Sequence, residues 1–183
     1  MNFSKMNLRA FVLLALLPIV LLWPLGVKAG EKTSEAVLPA PHGHVNDFAE
    51  VIDVKTEQRV NNVLENFKQR TGIDFVIATV KTAGNEDLYD FSLRLADQWN
   101  LGSRTGTQKS ILMVIATDTG RFFTHASQSV LKQLPTGLVG YMGRRMLPQF
   151  QEHNYAPGLI TGLEGFMDIF GQFMNFTFEA LDK

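Results

Sequence analysis

The chain has 183 residues, 45% of them apolar, with no cysteine and a formal net charge of −1. That length suggests one domain, and the missing cysteine excludes thiol catalysis and Cys-ligated zinc. The charge balance argues against a dedicated nucleic-acid binder, which needs a basic patch.

Residues 11–27, "FVLLALLPIVLLWPLGV", form an uncharged run preceded by Lys5 and Arg9. Val27 and Ala29 offer small residues at a cleavage site. A basic start, an apolar middle and a small-residue exit make a secretory signal peptide over residues 1–29. The competing reading keeps residues 10–27 as an uncleaved anchor in the inner membrane. The run is close to the ~20 residues that span a bilayer, but Pro18 and Pro24 interrupt it. Residues 1–29 hold Lys5, Arg9 and Lys28 and no acid, so the remainder carries 14 basic against 18 acidic residues. The chain is expected to be exported, periplasmic or otherwise extracytoplasmic. A domain of about 150 residues buries enough core to fold without disulfides.

Residues 30–44, "GEKTSEAVLPAPHGH", lack apolar periodicity and contain two prolines. They read as a linker, placed at 30–42, ahead of a domain at 43–174 and a tail at 175–183. Val60, Val63, Leu64 and Phe67 fall on one helical face within residues 54–70. Gly72 is placed to end that helix in the left-handed conformation. "IDFVIATV", residues 73–80, reads as a buried strand. Asn85 is expected to cap a helix carrying Leu88, Phe91, Leu95 and Trp99 as its apolar stripe. Residues 111–117 form a second strand, "TDTG" a turn, and "RFFTHA" a third strand returning by hairpin. A short helix at 127–134 and two longer ones at 136–152 and 155–173 follow. In the last, Gly158, Gly162 and Gly165 form a small-residue face suited to close packing. The expected fold is α/β: a three-layer α/β/α sandwich with a small mixed sheet, one parallel βαβ unit plus a hairpin strand.

Several motifs fail on context. "LGSRTGTQKSIL", residues 101–112, resembles a phosphate-binding loop, but Gly102 and Gly106 are one residue too close. It also follows a helix and opens a strand, the reverse of a P-loop, so no nucleotide is expected. "DTG" at residues 118–120 occurs once, whereas aspartic proteases need two such carboxylates. His42, His44, His125 and His153 show no metal-binding spacing, and His42 and His44 are read as a solvated tail. There is no G-x-S-x-G nucleophile elbow, and Asn175-Phe176-Thr177 is a glycosylation sequon only in a eukaryotic secretory pathway. Asp47 and Asp118 are the candidate metal-binding acids, because ligands of open α/β sheets favour the C-terminal ends of strands. The plain alternative makes them turn residues. No catalytic residue is identified.

These landmarks, in this order, resemble the TPM domain family. "GHVNDFAEVID" from Gly43 is similar to its opening G-x-V-x-D-x-A-x-V-[IL], and "RTGIDFVIATV" to its T-G-x-[QD]-[IF]-x-V-x-T-V strand. "LADQWNLG" resembles its W-x-[IL]-G signature. "RRMLPQFQEHNYAPGLITGLEGF" resembles its closing P-x-F-x-x-x-x-Y-x-x-G-[IL]. The resemblance implies an exported α/β/α domain, often membrane-tethered, with phosphatase activity and calcium binding ascribed to some members. Two departures stand out. Gln108-Lys109-Ser110 replaces the family's D-N-G before the second strand, and "SQSVL" from Ser127 replaces its G-Y-G-[LF]-E. Hard cations want oxygen ligands and negative charge, so no cofactor is expected. Ca2+ or another divalent cation is the alternative. The expected function is a non-catalytic binding or accessory module with a protein partner at the membrane. The alternatives are a metal-dependent acid phosphatase with a degenerate site, or a structural protein docking through its Phe-rich C-terminal segment, "FGQFMNFTF".

Overall fold

A computed structural model describes residues 38–101 and 108–182. The export segment, most of the linker and the glycine-rich part of residues 101–112 lie outside the described residues. Four strands form one sheet: β1 (Val45–Asp47), β2 (Asp74–Val80), β3 (Ser110–Ala116) and β4 (Arg121–Ala126). Their spatial order follows the chain; β1, β2 and β3 run parallel and β4 returns antiparallel. The helices are α1 (Val54–Thr71), α2 (Leu88–Trp99), α3 (Gln128–Leu131), α4 (Leu138–Gln151), α5 (Tyr155–Met174) and α6 (Phe178–Leu181).

Strand alternation divides the core in two. Phe75, Ile77, Ile111, Met113 and Ile115 face a cluster built with α1, α3, α4, α5 and α6. Val76, Ala78, Val80, Leu112, Val114 and Ala116 face a second cluster, in which α2 is the sole helix. The α/β/α sandwich is therefore lopsided. It also has a topological consequence. The chain steps in one direction from β1 to β2 to β3, while α1 and α2 cover opposite faces. Two such crossovers must have opposite hands, so one departs from the right-handed rule.

Local chemistry explains the element ends. The Asp53 side chain caps α1 by accepting from the Thr56 N–H at 3.0 Å, and Gly72 closes it at φ 69°. Asp87, not Asn85, caps α2, accepting from the Tyr89 N–H at 2.8 Å. Glu86 instead turns to Arg94, 2.8 Å away. Two elements were not anticipated. β1 has three residues, too few to show alternation, so the sheet holds two parallel βαβ units. α6 lies in the segment set apart as a tail. That segment carries Phe176, Phe178 and Leu181 into the first core, and Arg59 grips Asp182 with paired hydrogen bonds at 2.8–2.9 Å. Of the C-terminal phenylalanines, Phe170, Phe176 and Phe178 are buried and only Phe173 is exposed, at 71%. The Phe-rich segment is mainly core. The sequon residue Thr177 caps α6, accepting from the Ala180 N–H at 3.2 Å.

The glycine face of α5 meets α4. A Cβ at Gly158 would strike the Phe150 ring, one at Gly162 the Met146 side chain and one at Gly165 the Arg145 side chain. Gly171 is tighter, because its Cβ would overlap the backbone carbonyl of Phe176, which no rotamer change relieves. Gly171→Ala is expected to lower stability by about 2–3 kcal/mol by overpacking. Gly140→Ala, in the open part of α4, should raise it by about 0.5–1 kcal/mol through helix propensity. Urea denaturation of both variants checks the contrast.

Candidate functional site

The two ends of the sheet carry different chemistry. At the C-terminal ends of the parallel strands, Asp47 finishes β1 beside Thr79 of β2. Its Oδ1 accepts a short hydrogen bond from the Thr79 hydroxyl. Its Oδ2 accepts from the Ile52 N–H at 2.7 Å. Thr79 Oγ1 in turn accepts from the Ala49 N–H at 3.1 Å. Asp47 thus closes the β1–α1 loop, with both oxygens committed. Asp118 lies exposed in the β3–β4 turn. β2 stands between β1 and β3, so their axes are about 10 Å apart. Near this turn, Tyr155 donates to the Thr117 carbonyl at 2.7 Å and contacts His153 Nδ1 at 3.1 Å. Burial, then the Asp118 charge, pushes the Tyr155 hydroxyl pKa up. Among the described residues, no group of three or more His, Asp or Glu side chains is placed to hold a metal ion.

At the opposite end, the two segments that depart from the family pattern come together. Ser110 opens β3 and Ser127 follows β4. The Ser127 N–H donates to the Ser110 carbonyl at 2.9 Å. The Ser110 N–H donates back to Ser127 Oγ at 3.3 Å, and Ser127 Oγ meets Ser129 Oγ at 3.0 Å. By the resemblance, Gln108 and Leu131 stand at the carboxylate positions of the two motifs, and these serines at glycine positions. Lys109 is tied in through its carbonyl, which accepts from the Asp74 N–H at 2.8 Å.

Asp74 belongs to a cluster that the sequence concealed. His44 is 9% exposed; it is no part of a solvated tail. Its Nδ1 lies 2.9 Å from the Phe75 carbonyl and 3.3 Å from Asp74 Oδ1. Its Nε2 lies 3.1 Å from Glu65 Oε2. Asp74 Oδ2 accepts from Lys68 at 2.8 Å, whereas Oδ1 is buried without a hydrogen bond. Acceptors at both nitrogens suit an imidazolium, because neutral imidazole has only one N–H. Burial pulls the His44 pKa down, but Asp74, Glu65 and the Phe75 carbonyl outweigh it, and the net shift is upward. His44 holds Asp74 below the ordinary carboxylate range, aided by Lys68 and against the effect of burial. The ring sits in an open cleft of about 480 Å³, shared with Asn61, Glu65, Lys68, Asp74 and Leu101. The spacing of His44 and Asp74 carries no recognisable motif. The one available signal was that a histidine directly precedes a strand-forming Val-Asn-Asp.

One further serine–histidine pair is buried. Ser92 Oγ lies 2.7 Å from His125 Nε2, and Ser92 is fully buried and donates to the Tyr89 carbonyl at 2.8 Å. That arrangement suits a ring that donates to the serine oxygen.

The fold and its motifs can now be set beside known proteins. A TPM domain profile matches residues 45–169. The chain belongs to the TPM domain family. No curated protein matches it. Among solved structures, it is similar to the N-terminal domain of a protein from P. gingivalis, with 27% identity and a TM-score of 0.65 over 72% of this chain and 83% of that one. It also shares its fold with the BA42 protein of the psychrophilic bacterium Bizionia argentinensis, at 15% identity and TM-score 0.58, covering 68% of this TPM chain and 84% of that one. The N-terminal domain of a Corynebacterium glutamicum protein gives 8% identity and TM-score 0.55, over 72% and 84% of the two chains.

Two predictions follow from the two ends of the TPM domain. Asp47→Ala removes two hydrogen bonds to a carboxylate and should destabilise by about 2–3 kcal/mol. Asp118→Ala, at an exposed turn, should stay within about 0.5 kcal/mol. Thermal or urea denaturation separates them. The His44 cluster sets a pH dependence. Stability from its raised pKa is fully present below the ordinary histidine value of about 6.5 and is lost as pH rises through the raised value. Stability from the lowered Asp74 is present above the ordinary carboxylate value of about 4 and is lost as pH falls further. The exposed Glu65 contact adds little in salt. Denaturation midpoints from pH 4 to 9 should peak between those limits, on the order of pH 5–6. His44→Gln should abolish the decline on the alkaline side.

Proposed function

We propose that this chain is an exported TPM domain that works as a non-catalytic binding or accessory module at or near the membrane. The observation that carries the reading is the Ser110–Ser127 junction. The two segments set against the family's acidic motifs meet there, with Gln108 and Leu131 at the acidic positions and backbone and hydroxyl groups bonded to one another at 2.9–3.3 Å. The loop-closing hydrogen bonds of Asp47 support the same reading at the other end. A phosphatase needs a nucleophile and charge stabilisation at one point. Among the described residues, Asp47 and Asp118 stand at one end of the sheet and Glu65 and Asp74 near the other.

Export rests on the pattern of residues 1–29. No helix among the described residues is long and apolar enough to cross a membrane. Any anchoring in this reading therefore falls to residues 10–27, and a protein partner at the membrane is the expected ligand.

A phosphomonoester assay with and without Ca2+, Mg2+ or Mn2+ tests the non-catalytic reading. The purified chain should give no turnover above background under any of these conditions. Cation-dependent turnover that Asp47→Asn abolishes would overturn it and establish the phosphatase instead.

A further inference from the structure

The thin face of the sandwich has an unusual cover. α2 has twelve residues, and one helix about 10 Å wide cannot cover four strands spaced about 4.8 Å apart. Part of the gap is filled from the linker. Leu38 and Phe48 pack against the second core cluster beside Trp99. The contact is polar as well as apolar. Gln98 Nε2 donates to the Leu38 carbonyl at 2.7 Å, and Trp99 Nε1 donates to the Pro39 carbonyl at 3.0 Å. Two successive carbonyls of Leu38-Pro39-Ala40-Pro41 are thus read by two successive side chains. Further along, His42 meets the Phe48 ring edge-on at 6.3 Å, and Phe48 meets Trp99 at 6.2 Å. The His42 N–H is fixed on Asn46 Oδ1 at 2.8 Å.

This is the chemistry of proline-segment recognition. An extended proline-containing chain makes no internal hydrogen bonds, so its carbonyls are free, and its fixed φ lowers the entropy of docking. Aromatic walls and a tryptophan N–H suit such a ligand. We propose that the Gln98–Trp99 end of α2, with Phe48, is a recognition groove for an uncharged, extended, proline-containing peptide. The chain's own Leu38–Pro41 is its built-in ligand. The strap fills the groove in cis, and a partner bearing a similar segment takes it when the strap leaves. The proposal goes beyond the accessory-module reading and does not depend on it, since an enzyme could carry the same groove.

Trp99 reports on its own occupancy. The chain has two tryptophans, Trp23 and Trp99, so Trp23→Phe in the full chain leaves one indole. Trp99 is 8% exposed and should emit as a buried indole, poorly quenched by acrylamide. The strap variant Leu38→Gly/Pro39→Gly/Pro41→Gly should shift the emission to the red and raise quenching at least twofold, with an unchanged circular-dichroism spectrum. A synthetic peptide of residues 37–42 should reverse the shift saturably, and a Gly-Ser peptide of equal length should not. Gln98→Ala removes one donor at an exposed site and should weaken the peptide about fivefold, the loss of one neutral hydrogen bond. If the triple variant fails to fold, Leu38→Gly alone carries the same titration. No saturable change up to about 1 mM peptide, the weak end of such affinities, would overturn the proposal. So would recovery of the buried signal with protein concentration instead of peptide, which would mean exchange of straps between copies.

Discussion

A sheet buried on both faces must be covered on both, and here the cover is unequal. Among the described residues five helices share one face, while α2 serves the other. Much of the molecule follows from that constraint. The crowded face needs close helix contacts, so α5 gives up side chains at Gly158, Gly162 and Gly165 to admit Phe150, Met146 and Arg145. Each glycine gives up about 1 kcal/mol of helix propensity against alanine, which packing has to offset. The thin face has the opposite need. It recruits Leu38 and Phe48 from outside the regular elements. That turns a linker into part of the fold.

The same layout separates the polar chemistry. Parallel strands send their C-terminal ends to one edge and their N-terminal ends to the other, so residues close in sequence logic end up apart in space. Asp47 serves its own loop through Thr79 and Ile52. His44, three residues earlier, serves the other edge with Asp74 and Glu65. Buried polar groups must find partners or lose stability, and most here find them locally. Asp74 Oδ1 and Thr124 Oγ1 are the exceptions among the described residues, and Asp74 Oδ1 lies 3.3 Å from His44 Nδ1.

Long periodic segments were legible in the sequence. The faces of α1 and α2, the strands β2, β3 and β4, the left-handed Gly72 and the α5 glycine face all appear as read. Their signals repeat within one or two turns or along one strand, so the chain itself carries the averaging. Short elements were not legible. β1 has three residues and α6 has four, below the length at which any period shows. The N-cap of α2 is Asp87 and not Asn85, and Glu86 beside it pairs with Arg94, a pairing that no local rule ranks. His42 and His44 looked alike in the sequence. In the structure His42 is exposed and His44 is buried, because only the second reaches the sheet.

The sequence by itself determined the α/β class, the order of the main elements and the family. Periodicity, turn residues and motif order are local properties, and they survive without coordinates. Tertiary structure alone decided which polar groups meet. It joined Ser110 to Ser127 across 17 residues, His44 to Glu65 across 21 and Trp99 to Pro39 across 60. Such contacts depend on strand order, on the face each helix takes and on where the chain crosses the sheet, and no local spacing encodes them.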